Sequence, residues 1–348
     1  MAYTTIKKPS DYFNTNLYTG NNTETSHTGI GFQPDLTWLK VRNASGAHYL
    51  FDAIRGATNY IRSDNTAAEG TLAETLKSFD SDGYTVGTSN SVNTNNETMV
   101  GWNWLGANGT SANTDGSISS TVSANTTSGF SIVSYTGDGS SSSTVGHDLG
   151  VAPSVVIIKR RNASDAWYVM HTSLSSNNNV FLNLTDAQQN VSTYTGGLIS
   201  TSPTSSVFSF VNGTSVNNVN ASGGTYIAYC FAEKQGYSKF GSYTGNGNAD
   251  GSFIYTGFKP AVFIVKKTSG TANWEIRDNK RTNSFNTQDE RLFPNLSNAG
   301  NSSEGIDFIS NGLKLRGTSS NWNDSGGTYS YMCFAEEPLV GDNPATAR

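Results

Sequence analysis

The chain has 348 residues, 35% of them hydrophobic and only 14% charged, with a net charge of -5 and a pI near 5.4. That length admits two or three domains, each able to bury its own core. The acidic balance argues against the clustered positive charge of a nucleic-acid binder, and no apolar run approaches the 18 residues of a spanning helix, so neither nucleic acid nor membrane insertion is expected. The N-terminus lacks the basic and apolar regions of a signal peptide, which predicts synthesis in a cytoplasm and a soluble product.

Residues 1 to about 13 have no counterpart elsewhere in the chain. They read as a capping strand or as an arm for a partner, with Tyr3, Ile6, Lys7 and Lys8 as its candidate docking residues. The next stretch occurs three times. Tyr18-Thr19-Gly20 leads through a polar spacer to Pro34 and the apolar run Asp35 to Lys40. Tyr135-Thr136-Gly137 leads to Pro153 and Ser154 to Lys159, and Tyr243-Thr244-Gly245 to Pro260 and Ala261 to Lys267. An aromatic segment follows each anchor (Ala47 to Phe51, Ala166 to Met170, Ala272 to Ile276), and a closing strand ends each copy (Thr98 to Trp104, Thr225 to Glu233, Thr328 to Glu336). A period near a hundred residues is the size of a small domain rather than of a solenoid unit.

Within the copies the runs are short, β-branched and aromatic, with Asp-Gly or Asn-Gly turns at Asp82, Asp115, Asn212, Asp250 and Asn311. Helical spacing occurs once, over 67–79, where Leu72, Leu76 and Phe79 share a face. The expected fold is therefore all-β, three tandem antiparallel β-sandwich domains. Their predicted bounds are 1–107 with the N-terminal arm, 129–236 and 237–340, with a Gly/Ser/Thr/Asn linker over 108–128 and a loose tail over 341–348. Copies two and three, joined directly, are expected to pack as a pair; a ring about a pseudo-threefold axis and a string of beads are both open. Lys159-Arg160-Arg161 and Lys266-Lys267 read as solvated strand ends. Cys230 and Cys333 hold equivalent places in separate copies and are expected as buried free thiols.

Catalytic and metal signatures are weak. Glu275-Ile276-Arg277-Asp278 is the best acidic cluster, but the spacing fails that of a paired-carboxylate glycosidase strand, and the other copies carry Leu50 and Val169 in place of Glu275. His27, His48, His147 and His171 are scattered without ligand spacing. No catalytic residue, metal or cofactor is assigned, and the protein is expected to be non-enzymatic. Among six tryptophans, Trp167, Trp274, Trp102 and Trp104 read as core; Trp322, flanked by Asn321 and Asn323 in a polar loop, is the candidate ligand contact.

Several ordered motifs carry a family resemblance: Pro9 to Phe13, Phe51 to Thr58, Ser78 to Gly83, Gly129 to Gly137, Tyr237 to Gly245 and Tyr331 to Glu336. In these the chain resembles the repeat-bearing structural and tail-fibre-like proteins of marine tailed bacteriophages. The resemblance implies concanavalin-A-like, jelly-roll-type domains on a virion surface, as capsid decoration or as a short fibre. The partners expected are other virion proteins of capsid or tail, further copies of the chain in a homo-oligomer, and, in the alternative of a receptor adhesin, a host surface glycan. A virion-associated glycanase acting through Glu275 is the third reading.

Overall fold

A computed structural model of the chain describes residues 3–282 and 286–346. It is all-β, built from antiparallel sheets, and the threefold repeat of the sequence reappears as a threefold repeat of strand order. In the first repeat the inner sheet runs Phe13–Thr19, Thr98–Trp104, Leu36–Val41, Tyr49–Asp52. The second repeat gives Phe130–Thr136, Thr225–Phe231, Val155–Arg160, Trp167–His171, and the third Ser238–Thr244, Thr328–Pro338, Phe258–Lys267, Glu275–Asp278. An outer sheet covers each, of three strands in the first and second repeats and four in the third; the one in the first repeat is made by Thr25–His27, Gly83–Val86 and Leu76–Asp80.

Strand alternation explains why the inner strands are apolar on both faces. Successive side chains point to opposite sides of a sheet. One parity (Leu39; Val156 and Ile158; Phe263 and Val265) fills three separate cores between inner and outer sheets. The other parity (Leu36 and Trp38; Val155 and Ile157; Val262 and Ile264) enters a single core shared by all three repeats. At its centre Trp104, Phe231 and Phe334, the same position in the three closing strands, form a triangle of rings with centroids 6.4, 5.7 and 5.7 Å apart. Each such fully buried ring contributes roughly 1.5–3 kcal/mol, so the shared core binds the repeats to one another. The repeats thus close around a pseudo-threefold axis within one chain. Copies two and three are no more a pair than any other two.

The anchor motif has a local reason. Tyr18, Tyr135 and Tyr243 each donate a 2.6 Å hydrogen bond to the turn before the closing strand, at the carbonyls of Val92, Val219 and Trp322. The glycine two residues on lies so close to that turn that a Cβ would collide with a backbone carbonyl, of Thr94, Ala221 or Asp324.

Two local expectations fail. Residues 67–79 form no helix: Gly70–Thr71 and Leu76–Asp80 are strands, and Leu76 is buried while Leu72 is 42% exposed, so the apparent helical face does not exist. The stretch 108–128 is not a free linker, because Ser111–Asn113 and Ser120–Asn125 pair with each other and extend the inner sheet of the second repeat, with Val122 and Ile118 in its core. Backbone pairing compensates there for a sequence poor in apolar side chains.

Candidate functional site

The polar residues that the fold concentrates lie where adjacent repeats meet. Each of the three seams repeats the same pair of backbone hydrogen bonds. Between the first and second repeats, Asp165 N donates to Thr66 O and Glu69 N to Arg161 O. Between second and third, Ala272 N donates to Thr185 O and Gln188 N to Thr268 O. Between third and first, Gly46 N donates to Ser297 O and Gly300 N to Arg42 O, which closes the ring.

A buried lysine ends the axis-facing side of the central strand at each seam. Lys159 Nζ donates to Thr66 O at 3.0 Å and Asp165 O at 2.9 Å. Lys266 Nζ donates to Thr185 O at 3.2 Å and Lys267 O at 2.7 Å, and Lys40 Nζ to Val41 O at 2.8 Å and Ser297 O at 3.4 Å. The acceptor across the seam is thus the same carbonyl that takes the backbone bond. Burial pushes Lys40 and Lys159 down to about 8 and Lys266 to about 7, partly opposed by Asp64, Asp165 and Asp186 respectively. Lys159 and Lys266 are therefore not solvated strand ends. Each aliphatic stem continues the apolar face of its strand, and carbonyls from the neighbouring repeat take the place of water.

A second layer seals the seams. Asp52 binds Arg55 in a fully buried pair and accepts a 2.8 Å bond from Tyr229 of the second repeat. Asp278 binds Arg281 likewise and accepts 3.0 Å from Trp102 Nε1 of the first repeat. Tyr229 and Trp102 are the same position of the closing strand. Met332 stands there in the third repeat and has no donor, so that seam uses His171 instead. Its Nδ1 accepts from Ser173 N, which leaves the proton on Nε2 to be donated to Tyr331 O at 3.1 Å. Burial holds His171 down to about 4, neutral at physiological pH. A third set spans two of the seams: Trp167 Nε1 donates to Arg62 O and Trp274 Nε1 to Phe181 O, both at 2.8 Å. His48 takes the indole's place in the first repeat and accepts from Trp38 Nε1 at 2.9 Å. Between these layers the axis holds a cavity of about 30 Å³ with an apolar lining that includes Leu36, Trp104, Phe231 and Met332, a space that stays dry for want of polar partners.

The predicted ligand contact is not presented to solvent. Trp322 is fully buried in the third repeat's own core, with the Arg277 guanidinium 5.5 Å from its ring centre. It occupies the place of Val92 and Val219, which the other anchor tyrosines bind. Asn323 is buried too, its Nδ2 donating to Asn248 O and Gly317 O, as Asn93 and Asn220 do in their repeats. The signal was in the sequence: each of these asparagines stands five residues before the threonine that opens a closing strand. Asn321 donates to Glu275 Oε1 at 2.9 Å and accepts from Asn273 N. Glu275 is itself fully buried between Arg277 at 3.1 Å and Arg291 at 3.1 Å, a carboxylate fixed as a structural ion rather than facing a cleft.

The N-terminal arm folds back on its own chain. Tyr3 OH donates to Gly257 O, Thr4 Oγ1 to Gln235 O, and Ile6 is buried in the shared core; Lys7 is exposed and Lys8 pairs with Asp11 at 2.6 Å. The tail meets it through Asp342 N and Lys7 O. Cys230 and Cys333 are buried free thiols, as their equivalent places foretold. Among the described residues no three His, Cys, Asp or Glu side chains are grouped to hold a metal, and no helix is long and apolar enough to cross a membrane.

No curated protein and no solved structure matches the chain. One family does, over residues 8–338, and this span takes in all three repeats and every seam between them. The chain therefore belongs to the family described as "Domain of unknown function (DUF7483)".

Proposed function

We propose that this chain is a non-enzymatic surface component of a bacteriophage particle, a capsid decoration or short fibre, whose three lobes are jelly-roll, concanavalin-A-like domains. The observation that carries the reading is ring closure within one chain. The chemically distinctive side chains (buried lysines, Asp-Arg pairs, indoles) are spent on holding three lobes together, which is what a mounted, load-bearing body requires. A surface built from Asn, Ser, Thr and Gly around such a body suits a particle exterior, and the resemblance of the motifs to tail-fibre-like proteins of marine phages points the same way. The strands Phe13–Thr19 and Ser238–Thr244 stand at sheet edges, where further copies or another virion protein would add.

Antibody-gold electron microscopy on purified particles tests the proposal, with antibody raised against the whole folded chain. Label over the head or at the tail supports it and separates decoration from fibre. Particles that carry no label and no copy of the chain by mass spectrometry overturn it.

A further inference from the structure

The pseudo-threefold axis makes each seam a control for the other two, and one seam differs. Where Arg161 follows Lys159 by two residues, its guanidinium is closed by Glu69, Nε to Oε2 at 3.0 Å and Nη2 to Oε1 at 2.9 Å. At the second seam Thr268 stands in that position and bonds Thr328. At the third seam the equivalent residue is Arg42, and the residue facing it across the backbone bond, where Glu69 and Gln188 stand in the other seams, is Gly300. The side chain that would fill the space is missing. What remains is a cavity of about 300 Å³ between the first and third repeats, at the lower end of the roughly 300–1,000 Å³ typical of small-molecule sites.

Its lining is polar and underused. Arg42 and Asn43 and Thr98 come from the first repeat, Glu290, Asn301 and Ser302 from the third. Arg42 Nη2 donates to Glu290 Oε2 at 3.0 Å and Arg281 O at 3.1 Å, while its Nε is buried without a partner. Among the described residues, Asn43 Nδ2, Thr98 Oγ1, Asn301 Nδ2 and Ser302 Oγ make no hydrogen bond, although Asn43 Oδ1 and Asn301 Oδ1 are held by Thr98 N and Arg291 Nε. An unpartnered buried donor in a native seam calls for an acceptor. The two amides, held by their oxygens, and the two hydroxyls supply donors and acceptors around a space the size of one ring.

From this we infer that the cavity between Arg42 and Gly300 is a binding site for a single neutral saccharide ring. A ring oxygen or hydroxyl supplies the acceptor at Arg42 that Glu69 supplies to Arg161, and the remaining hydroxyls meet Asn43, Thr98, Asn301 and Ser302. The ligand is uncharged because Glu290 already balances Arg42, and an added carboxylate would lie against Glu290 as a like charge. The site is independent of which particle carries the chain.

Saturation-transfer NMR and titration calorimetry on the full chain test it, using the methyl glycosides of glucose, galactose, mannose and N-acetylglucosamine, with glucuronate as the charged arm. A neutral glycoside should bind one site per chain with a Kd on the order of 1 mM, at least about tenfold tighter than glucuronate. Gly300→Glu restores the side chain of the first seam. A Cβ at that position meets Arg42 O at 3.2 Å and Arg291 O at 3.4 Å, which a small shift accommodates. The variant should lose binding by at least about tenfold while keeping the cooperative unfolding transition of the parent. Ser302→Trp, at an exposed position on the rim, should block the cavity without touching the seam bonds. Absence of binding across the neutral panel, binding undiminished in both Gly300→Glu and Ser302→Trp, or preference for glucuronate each overturns the assignment.

Discussion

Replacing Lys266 with methionine should change how the stability of this protein depends on pH. The side chain keeps its length and its apolar stem but loses the amine that Thr185 O and Lys267 O accept. In the folded chain Lys266 gives up its proton near pH 7, because burial disfavours the ammonium, whereas in the unfolded chain it holds it until about pH 10.5. Between those values the unfolded state binds more protons, so stability rises with pH, by about 1.4 kcal/mol for each pH unit and for each such lysine. The wild type should therefore gain about 2 kcal/mol relative to Lys266→Met between pH 7.5 and pH 9. The lost donor adds a pH-independent cost of roughly 1 kcal/mol to the variant. Buried thiols and tyrosines act with the opposite sign above pH 9, since their folded-state values are raised, but they are common to both proteins and cancel in the difference. Urea unfolding of both at three pH values measures it. A difference that stays constant from pH 7.5 to pH 9 would refute the claim that Lys266 is buried and uncharged in the folded ring.

Arg281→Met leaves the Asp278 carboxyl fully buried without its guanidinium partner and should cost about 3–5 kcal/mol in urea unfolding; a loss below about 1 kcal/mol would mean that the seam is wet. Trp322→Ala should cost about 3–5 kcal/mol as a core truncation, whereas a neutral result would put the indole back in solvent. Both cysteines should resist an aromatic disulfide reagent at pH 8 in the native protein and react fully in urea, since thiolate formation is disfavoured by burial. Rapid reaction of either thiol before unfolding would contradict its place in the core.

The parts of this structure legible in the sequence are those that each repeat states for itself. The Tyr-Thr-Gly anchors, the apolar central strands, the closing strands and the free cysteines follow from alternation and from the period between equivalent positions. What was not legible depends on the neighbouring repeat. Lys159 and Lys266 read as solvated because nothing in their own repeat shows that Thr66 O or Thr185 O will reach them. Asp52 and Asp278 became seam residues only when Tyr229 and Trp102 arrived from a different copy. Trp322 was misread for another reason: its polar neighbours Asn321 and Asn323 suggested a surface loop, while both asparagines turn their amides inward to bond the chain. The strands over 108–128 and 70–80 were missed because pairing there is made by backbone, which leaves little trace in side-chain pattern.

Small-angle X-ray scattering on the purified monomer tests the central claim, that three repeats close around one shared core, more directly than any variant. A single compact body of this length has a radius of gyration of about 20 Å. Three separate domains of about 110 residues strung in line would give roughly 30 Å. A value near the first with a bell-shaped Kratky profile is what the closed ring requires. A value near the second would contradict the shared core and, with it, every seam described above.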